Sequence, residues 1–322
     1  PFDAAYVYTK RYGDCKALAN YMIALLKEAG IRGATVLIRA GAAPSMDTSF
    51  ACAQFNHAIA VAFTGKDSVW LECTSPVLPA GYLGAATSDK DALLLGPSNG
   101  VVVHTPVYGV RENHFSRHVK GTLGADGNLE GRLVYSYSGL EQDALRSTLG
   151  RTGKREQLSM RQQTLGIPNG LIKELDYTMD SAAVPNIRET MLLSAEHFAT
   201  TAGSRLLLYP GYFYKRINGL TESSSRTHDF ELPVSYEEVD SLELTLPEGY
   251  VPEGNPISAS FSCPCGSYRI RSSYDAGDRT YRIVCRFTQH KGVYPAGDWP
   301  RLVRFFNLVH REGSRQLTLI RQ

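Results

Sequence analysis

The sequence predicts an α+β protein in which a helix-led first segment is followed by a long series of antiparallel strands. Three observations carry this expectation. Residues 14–29 place Leu18, Met22, Leu25, Leu26 and Ala29 on one helix face, and Gly30 follows as a C-terminal cap. Further on, short β-branched and aromatic runs recur between Gly, Asp and Asn clusters, the pattern of strand and turn. The chain has 322 residues, 43% apolar and 20% charged, enough for two or three domains with ordinary cores.

After the helix, residues 35–38 form a short β-branched strand and residues 40–50 a small, polar loop. Residues 55–63 and 68–74 are two strands joined by Thr64-Gly65-Lys66-Asp67, a hairpin with either a four-residue loop or a two-residue turn. Residues 76–110, rich in Gly, Pro and Ser with weak periodicity, are expected to be a long, partly ordered connection. Strands are expected at 115–123 and 129–138 around Gly124-Ala125-Asp126-Gly127, and again at 171–177 and 187–193. Between these pairs, residues 140–165 carry two short helical patterns broken near Gly150 and Gly153. From residue 229 the chain alternates strand and turn, with strands at 241–246, 267–272, 280–287 and 317–320, which suggests a β-sandwich. The expected domains are 1–108, an α+β middle domain of mainly antiparallel strands at 109–228, and a C-terminal β-sandwich at 229–322.

Composition excludes several classes. Lys plus Arg numbers 34 against 32 Asp plus Glu, with no dense basic run, so the footprint of a nucleic-acid binder is missing. No stretch approaches the roughly 20 apolar residues of a membrane span. The chain begins at Pro1 with no Met and no basic-plus-apolar leader, the expectation for a fragment or processed form, which leaves a removed signal peptide open. Cysteines at 15, 52, 73, 263, 265 and 285 are too sparse for a disulfide scaffold. Cys263-Pro264-Cys265 lacks the spacer and second ligand pair of a zinc site, and reads as a strand-edge coincidence or half of a disulfide.

Cys15 has the clearest chemical setting. Gly13 and Asp14 end a loop, Asp14 suits an N-cap, and Cys15 enters the first helical turn, where free amides and the helix dipole favour a thiolate. A lone cysteine there is more often an inert buried residue. If Phe63 pairs with Ser68, then Ile59 faces Glu72 and His57 faces Thr74, so His57 and Glu72 are diagonal neighbours on one face. Taken singly, the histidine is an ordinary strand residue and the glutamate a solvated strand end. Taken together, Cys15, His57 and Glu72 form the nucleophile, base and orienting acid that thiol acyl transfer requires. His118, His197 and His290 lack any such partner in sequence.

Three segments also carry a resemblance: Arg11-Tyr12-Gly13-Asp14-Cys15-Lys16-Ala17-Leu18, Phe55-Asn56-His57-Ala58-Ile59-Ala60-Val61, and Val69-Trp70-Leu71-Glu72-Cys73-Thr74-Ser75. They resemble the signature segments of the bacterial transglutaminase-like superfamily, which supply Cys, His and Asp. The resemblance implies a papain-like core, here partial, with Glu72 in the place usually held by Asp. Asp126-Gly127-Asn128-Leu129, Tyr137-Ser138-Gly139-Leu140, Leu246-Pro247-Glu248-Gly249-Tyr250 and Tyr294-Pro295-Ala296-Gly297-Asp298-Trp299-Pro300 resemble the β-rich domains that flank such cores in Gram-negative envelope proteins.

The resemblance thus implies a peptide or protein substrate, no cofactor and no metal, and a place in the periplasm or cell envelope. Hydrolysis of a peptide or amide bond is favoured over cross-linking, since bacterial relatives are described in peptidase terms and no D-x-D-x-D-G calcium pattern is present. The alternative is an inactive envelope scaffold or binding module that keeps the fold. Zinc on Cys15, His57 and Glu72 is disfavoured, because hydrolytic zinc sites use His-rich sets.

Overall fold

Two helices open the chain, α1 (Ala4–Lys10) and α2 (Cys15–Glu28), and the sequence sets the limits of the second. This computed structural model describes residues 2–41, 46–50, 52–214, 217–220 and 226–322. Asp14 has extended backbone, and its carboxylate accepts the Ala17 N–H at 2.8 Å as an N-cap does. At the other end Gly30 has φ +73°, and the Gly30 and Ile31 amides return to the Lys27 and Leu26 carbonyls. These bonds form a Schellman ending, whose left-handed residue is cheapest as glycine.

Five strands follow: β1 (Arg32–Ile38), β2 (His57–Thr64), β3 (Asp67–Leu71), β4 (Asp91–Leu95) and β5 (Gly100–His104). They form one antiparallel sheet in the order β3-β2-β1-β4-β5, and α2 packs across β1 and β2. Val36, Ile38, Ile59, Val61, Leu83 and Ala92 make the core. Ala58 through Ala62 are all buried, so both faces of β2 are covered and its sequence is a continuous apolar run rather than an alternation. Phe63 pairs with Ser68 and Thr64 with Asp67, so the hairpin has the two-residue turn.

The stretch at 76–110 departs from its expected irregularity, because β4 and β5 form a hairpin there. Leu93-Leu94-Leu95 and Val101-Val102-Val103 lack alternation, which hid the strands, although the five residues 96–100 between them are turn-formers. Of the loop at 40–50, positions 42–45 lie outside the described residues. The first unit comprises Pro1–Tyr108 together with Gln142–Gly150, which holds α3 (Asp143–Leu149), and Asp180–Asn186. Arg146 ties these later segments to each other by donating to the Asp180 carbonyl at 2.9 Å.

The second unit is β-rich. Its elements are β6 (His114–Leu123), β7 (Leu129–Ser138), α4 (Lys154–Gln163), β8 (Gly170–Met179), β9 (Asn186–Ala195), β10 (Thr200–Ala202), β11 (Arg205–Leu208) and β12 (Phe230–Leu232). There follow β13 (Tyr236–Thr245), β14 (Tyr250–Pro252), β15 (Ser258–Cys263), β16 (Gly266–Asp275), β17 (Thr280–Gln289), β18 (Gly292–Tyr294), α5 (Trp299–Gly313) and β19 (Leu317–Arg321). Eight strands form one sheet in the order β15-β16-β17-β13-β6-β7-β9-β8, and β10-β11-β19-β14 form a second. Leu206, Leu208, Leu317 and Leu319 of the smaller sheet, and Phe305 and Val309 of α5, join the large sheet in a single core.

The boundary expected at residues 228/229 therefore does not separate compact units, and residues 229–322 do not close into a sandwich of their own. The reason is pairing at long range: β13 lies parallel to β6, with Asp240 opposite Arg117 and Leu242 opposite Val119. Spacing and turns mark where strands are, but not which partner a strand chooses. The helix α5 was also not anticipated, although Leu302, Phe305, Phe306 and Val309 follow helical spacing. The whole is α+β, dominated by antiparallel pairing, and no described helix is long and apolar enough to cross a membrane.

Truncating the fully buried Ile59 to Ala should cost about 2–5 kcal/mol through lost burial and a residual cavity. Val101→Ala on the exposed β5 should stay within about 0.5 kcal/mol. Urea denaturation of both variants checks this, and similar losses for the two would mean that the sheet core is not centred on β2.

Candidate active site

Cys15 is the first residue of α2, directly after the Asp14 cap, and its side chain is half-buried. The corner leading into it is tight. A Cβ on Gly13 would lie 2.9 Å from the Ala17 Cβ and 3.3 Å from Val7, so glycine is needed for α1 and α2 to meet this closely. His57 begins β2, opposite Ile38 on β1. The preceding Asn56 fixes that start, because its side-chain oxygen accepts the Ala40 N–H at 2.7 Å and its amide donates to the Ala40 carbonyl at 3.1 Å. Glu72 follows the last residue of β3.

The structure brings His57 and Glu72 into direct contact. Nε2 of His57 lies 3.1 Å from both carboxylate oxygens of Glu72, and the side chains are 17% and 8% exposed. Glu72 Oε1 also accepts the Thr74 N–H at 3.1 Å and the Thr74 hydroxyl at 2.6 Å. Burial pushes the Glu72 carboxyl up, but the bonds from His57 and Thr74 outweigh it and hold the group below its ordinary value of 4.5. An ionised carboxylate only accepts, so the hydrogen-bond network assigns the ring proton of neutral His57 to Nε2 and leaves the lone pair on Nδ1. That tautomer is the one able to take a proton at Nδ1.

Cys15 rides on the helix that packs over β2, the strand His57 begins. Among the described residues no hydrogen bond links its thiol to His57; such pairs are often long before substrate is bound. The neighbouring Cys73 can be distinguished from it. Burial first, then the Glu72 charge, pushes the Cys73 thiol up to about 11, which keeps it protonated and unreactive at neutral pH.

A cavity of about 350 Å3 opens beside the pair, lined by His57, Glu72, Asn56, Thr74 and Thr87 and by the apolar Ala40, Leu78, Gly84 and Ala86. Its 84–87 wall is held from a distance. Asp143 accepts the Tyr82 hydroxyl at 2.8 Å and the Ala85 N–H at 3.0 Å. Burial lifts the Asp143 carboxyl above its usual range, and these bonds offset that only in part. Sequence reasoning missed Asn56, Thr74 and Asp143 as supports. The first two lay inside the segments that gave His57 and Glu72, whereas Asp143 stands 58 residues beyond Ala85 and carries no local signal.

Comparison with known proteins places parts of this chain. Residues 204–319, within the second unit, match a family described as a Domain of Unknown Function with solved-structure structure (DUF3858). A crystal structure of a putative protease from Parabacteroides distasonis ATCC 8503 aligns with 99% of this chain and 46% of that one, with a TM-score of 0.52 and 13% identity. At that identity the likeness is one of fold, and this chain spans less than half the length of that protein. No curated protein matches.

Two outcomes follow from the geometry. Brief iodoacetamide treatment at about pH 6 should label Cys15 ahead of Cys73, read by peptide mass spectrometry; prior labelling of Cys73 would reverse the assignment of the reactive thiol. Glu72, with its folded pKa depressed, contributes stability above its ordinary 4.5 that is lost as pH falls through the folded value. The melting-temperature gap between wild type and Glu72→Gln should therefore narrow from about pH 7 to about pH 3. A gap unchanged across that range would show that the carboxylate is not stabilised by these bonds.

Proposed function

We propose that the first unit is a thiol acyl-transfer centre of the transglutaminase-like, papain-like type, hydrolysing a peptide or amide bond. The observation that carries this reading is the two-oxygen contact of Glu72 with His57 Nε2, which leaves Nδ1 as the base. Nδ1 takes the Cys15 proton, and the thiolate attacks the carbonyl carbon of the substrate. The Cys15 amide and the start of α2 offer donors to the oxyanion that forms. His57 then returns its proton to the departing amine, and water releases the acyl group by the reverse sequence. Throughout, Glu72 holds the ring orientation and stabilises the imidazolium.

The fold-level likeness to a putative protease supports a peptidase reading. Small residues along the cavity, Ala40, Gly84 and Ala86, leave room for a peptide backbone beside His57. The extra methylene of Glu72 relative to aspartate is accommodated by its position just past β3, from which both oxygens reach the ring. The resemblance of the later segments to envelope proteins supports a peptide or protein substrate in the periplasm or envelope as part of this proposal.

The test is turnover of a peptide library by the full chain and three variants, with thermal melts to exclude unfolding. Cys15→Ala should abolish cleavage. Glu72→Gln should lower kcat by about 10³-fold or more, since an amide neither enforces the tautomer nor stabilises the imidazolium. Glu72→Asp should retain most activity. Equal rates for wild type and Glu72→Gln would remove Glu72 from the machinery, and a folded chain that cleaves nothing would favour the scaffold reading.

A further inference from the structure

The second unit holds a pair of thiols that the acyl-transfer reading does not use. Cys263 ends β15 and pairs with Gly266, so Pro264 and Cys265 are the two residues of a hairpin turn. Around such a turn, residues two apart have Cα atoms about 5–6 Å from each other, inside the range a disulfide needs. Both cysteines are free, and Cys263 lies close enough to act on the Cys265 thiol. They differ in access. Cys265 is 2% exposed and sits in a cluster with Phe230 and Leu302, whereas Cys263 is half-buried at its edge.

Cys263 also lines a cavity of about 440 Å3 whose opposite wall is α5. Phe261, Pro264, Phe305 and Leu308 supply apolar surface there, and Arg301 and Arg304 supply two guanidinium groups. The arginines are three residues apart and so share one helix face, and both are exposed. Arg301 has Asp298 at 3.0 Å, and Arg304 makes no ion pair among the described residues. A thiol beside a cavity with excess positive charge suits a small anionic partner.

We propose that Cys263 and Cys265 are a reversible dithiol–disulfide site that exchanges with a small anionic disulfide, of which oxidised glutathione is the probe, received against Arg301 and Arg304. The Cys263 thiolate attacks one sulfur of the probe, forming a mixed disulfide and expelling one glutathione thiolate, which takes up the proton that Cys263 released. Cys265 then attacks the Cys263 sulfur, forming the intramolecular disulfide and expelling the second glutathione, which takes the Cys265 proton. Two protein thiols are oxidised and one glutathione disulfide is reduced to two thiols. The order follows from access and acidity: burial first, then the neighbouring Cys263, pushes the Cys265 thiol up to about 12. Once Cys263 is capped, the proximity of Cys265 across the turn favours the second step. Closing a ring over one intervening residue strains the bond, which keeps it reducible. The site lies wholly in the second unit and does not depend on the acyl-transfer reading.

The test treats the native full chain with oxidised glutathione, traps remaining thiols with N-ethylmaleimide in acid, and maps the peptides by mass spectrometry. The Cys263–Cys265 peptide should appear two hydrogens lighter and unalkylated, and should revert when reduced glutathione is added. Cys265→Ser should stop at the mixed disulfide on Cys263. The double variant Arg301→Ala/Arg304→Ala should slow oxidation by glutathione disulfide about tenfold while leaving the rate with uncharged hydroxyethyl disulfide unchanged. Wild type that stays fully alkylated, or that stops with glutathione on Cys263, would overturn the dithiol site. Equal slowing with both disulfides would overturn the recognition assigned to the arginines.

Discussion

The first unit depends on the register of one hairpin. Its turn holds only Gly65 and Lys66, and Thr64 therefore faces Asp67 and Ala60 faces Leu71. A slip of one residue would reverse the faces of a whole strand and send the imidazole and the carboxylate to opposite sides. Burial of β2 on both faces makes such a slip costly, because it would move Ile59 and Val61 out of the places they fill in the core. The polar contacts then act at the strand ends, where backbone pairing stops. Asn56 clamps the chain before His57, and Thr74 braces the carboxylate after β3. Hydrogen bonds to a charged group contribute about 1.5–3 kcal/mol each, so these few offset the penalty of shielding Glu72 from water.

The second unit solves a different problem, the parallel meeting of β6 and β13 in an otherwise mostly antiparallel sheet. Arg117 on β6 bonds Asp240 at 2.8 Å and also Glu238, both carboxylates being nearly inaccessible. A second buried set lies on the same sheet, where Glu189 receives Arg161 and the hydroxyls of Tyr137 and Tyr177. Buried pairs of this kind add little net stability, since desolvation consumes most of their attraction. Their effect is on choice of partner: any other alignment of β13 on β6 would strand two carboxylates without a cation.

Much of this was legible beforehand, and the reason is local chemistry. Helix α2 announced itself through Asp14, its apolar face and Gly30, and the hairpin through its turn and strand lengths. His57 and Glu72 followed from that register by counting. What was hidden is what depends on distant chain. Nothing near residue 240 says that it lies beside residue 117, so the strands of 229–322 read as a separate sandwich. Asp143 gives no sign that its oxygens hold Tyr82 and Ala85. The β4–β5 hairpin was hidden for a different reason, since runs of Leu and Val without alternation do not declare a strand period.

The first unit is also discontinuous along the chain, assembled from three segments with other structure between them. That has a consequence for synthesis. When residue 108 leaves the ribosome, the sheet and its helix can collapse, but the carboxylate that fastens the cavity wall is still to be translated. Asp143 follows Ala85 by 58 residues, and the last segment ends only at Asn186. Much of the second unit's first strands must therefore emerge while the site is loosely framed. Until those intervening strands have been made, the cavity has one wall unfastened and cannot take its final shape.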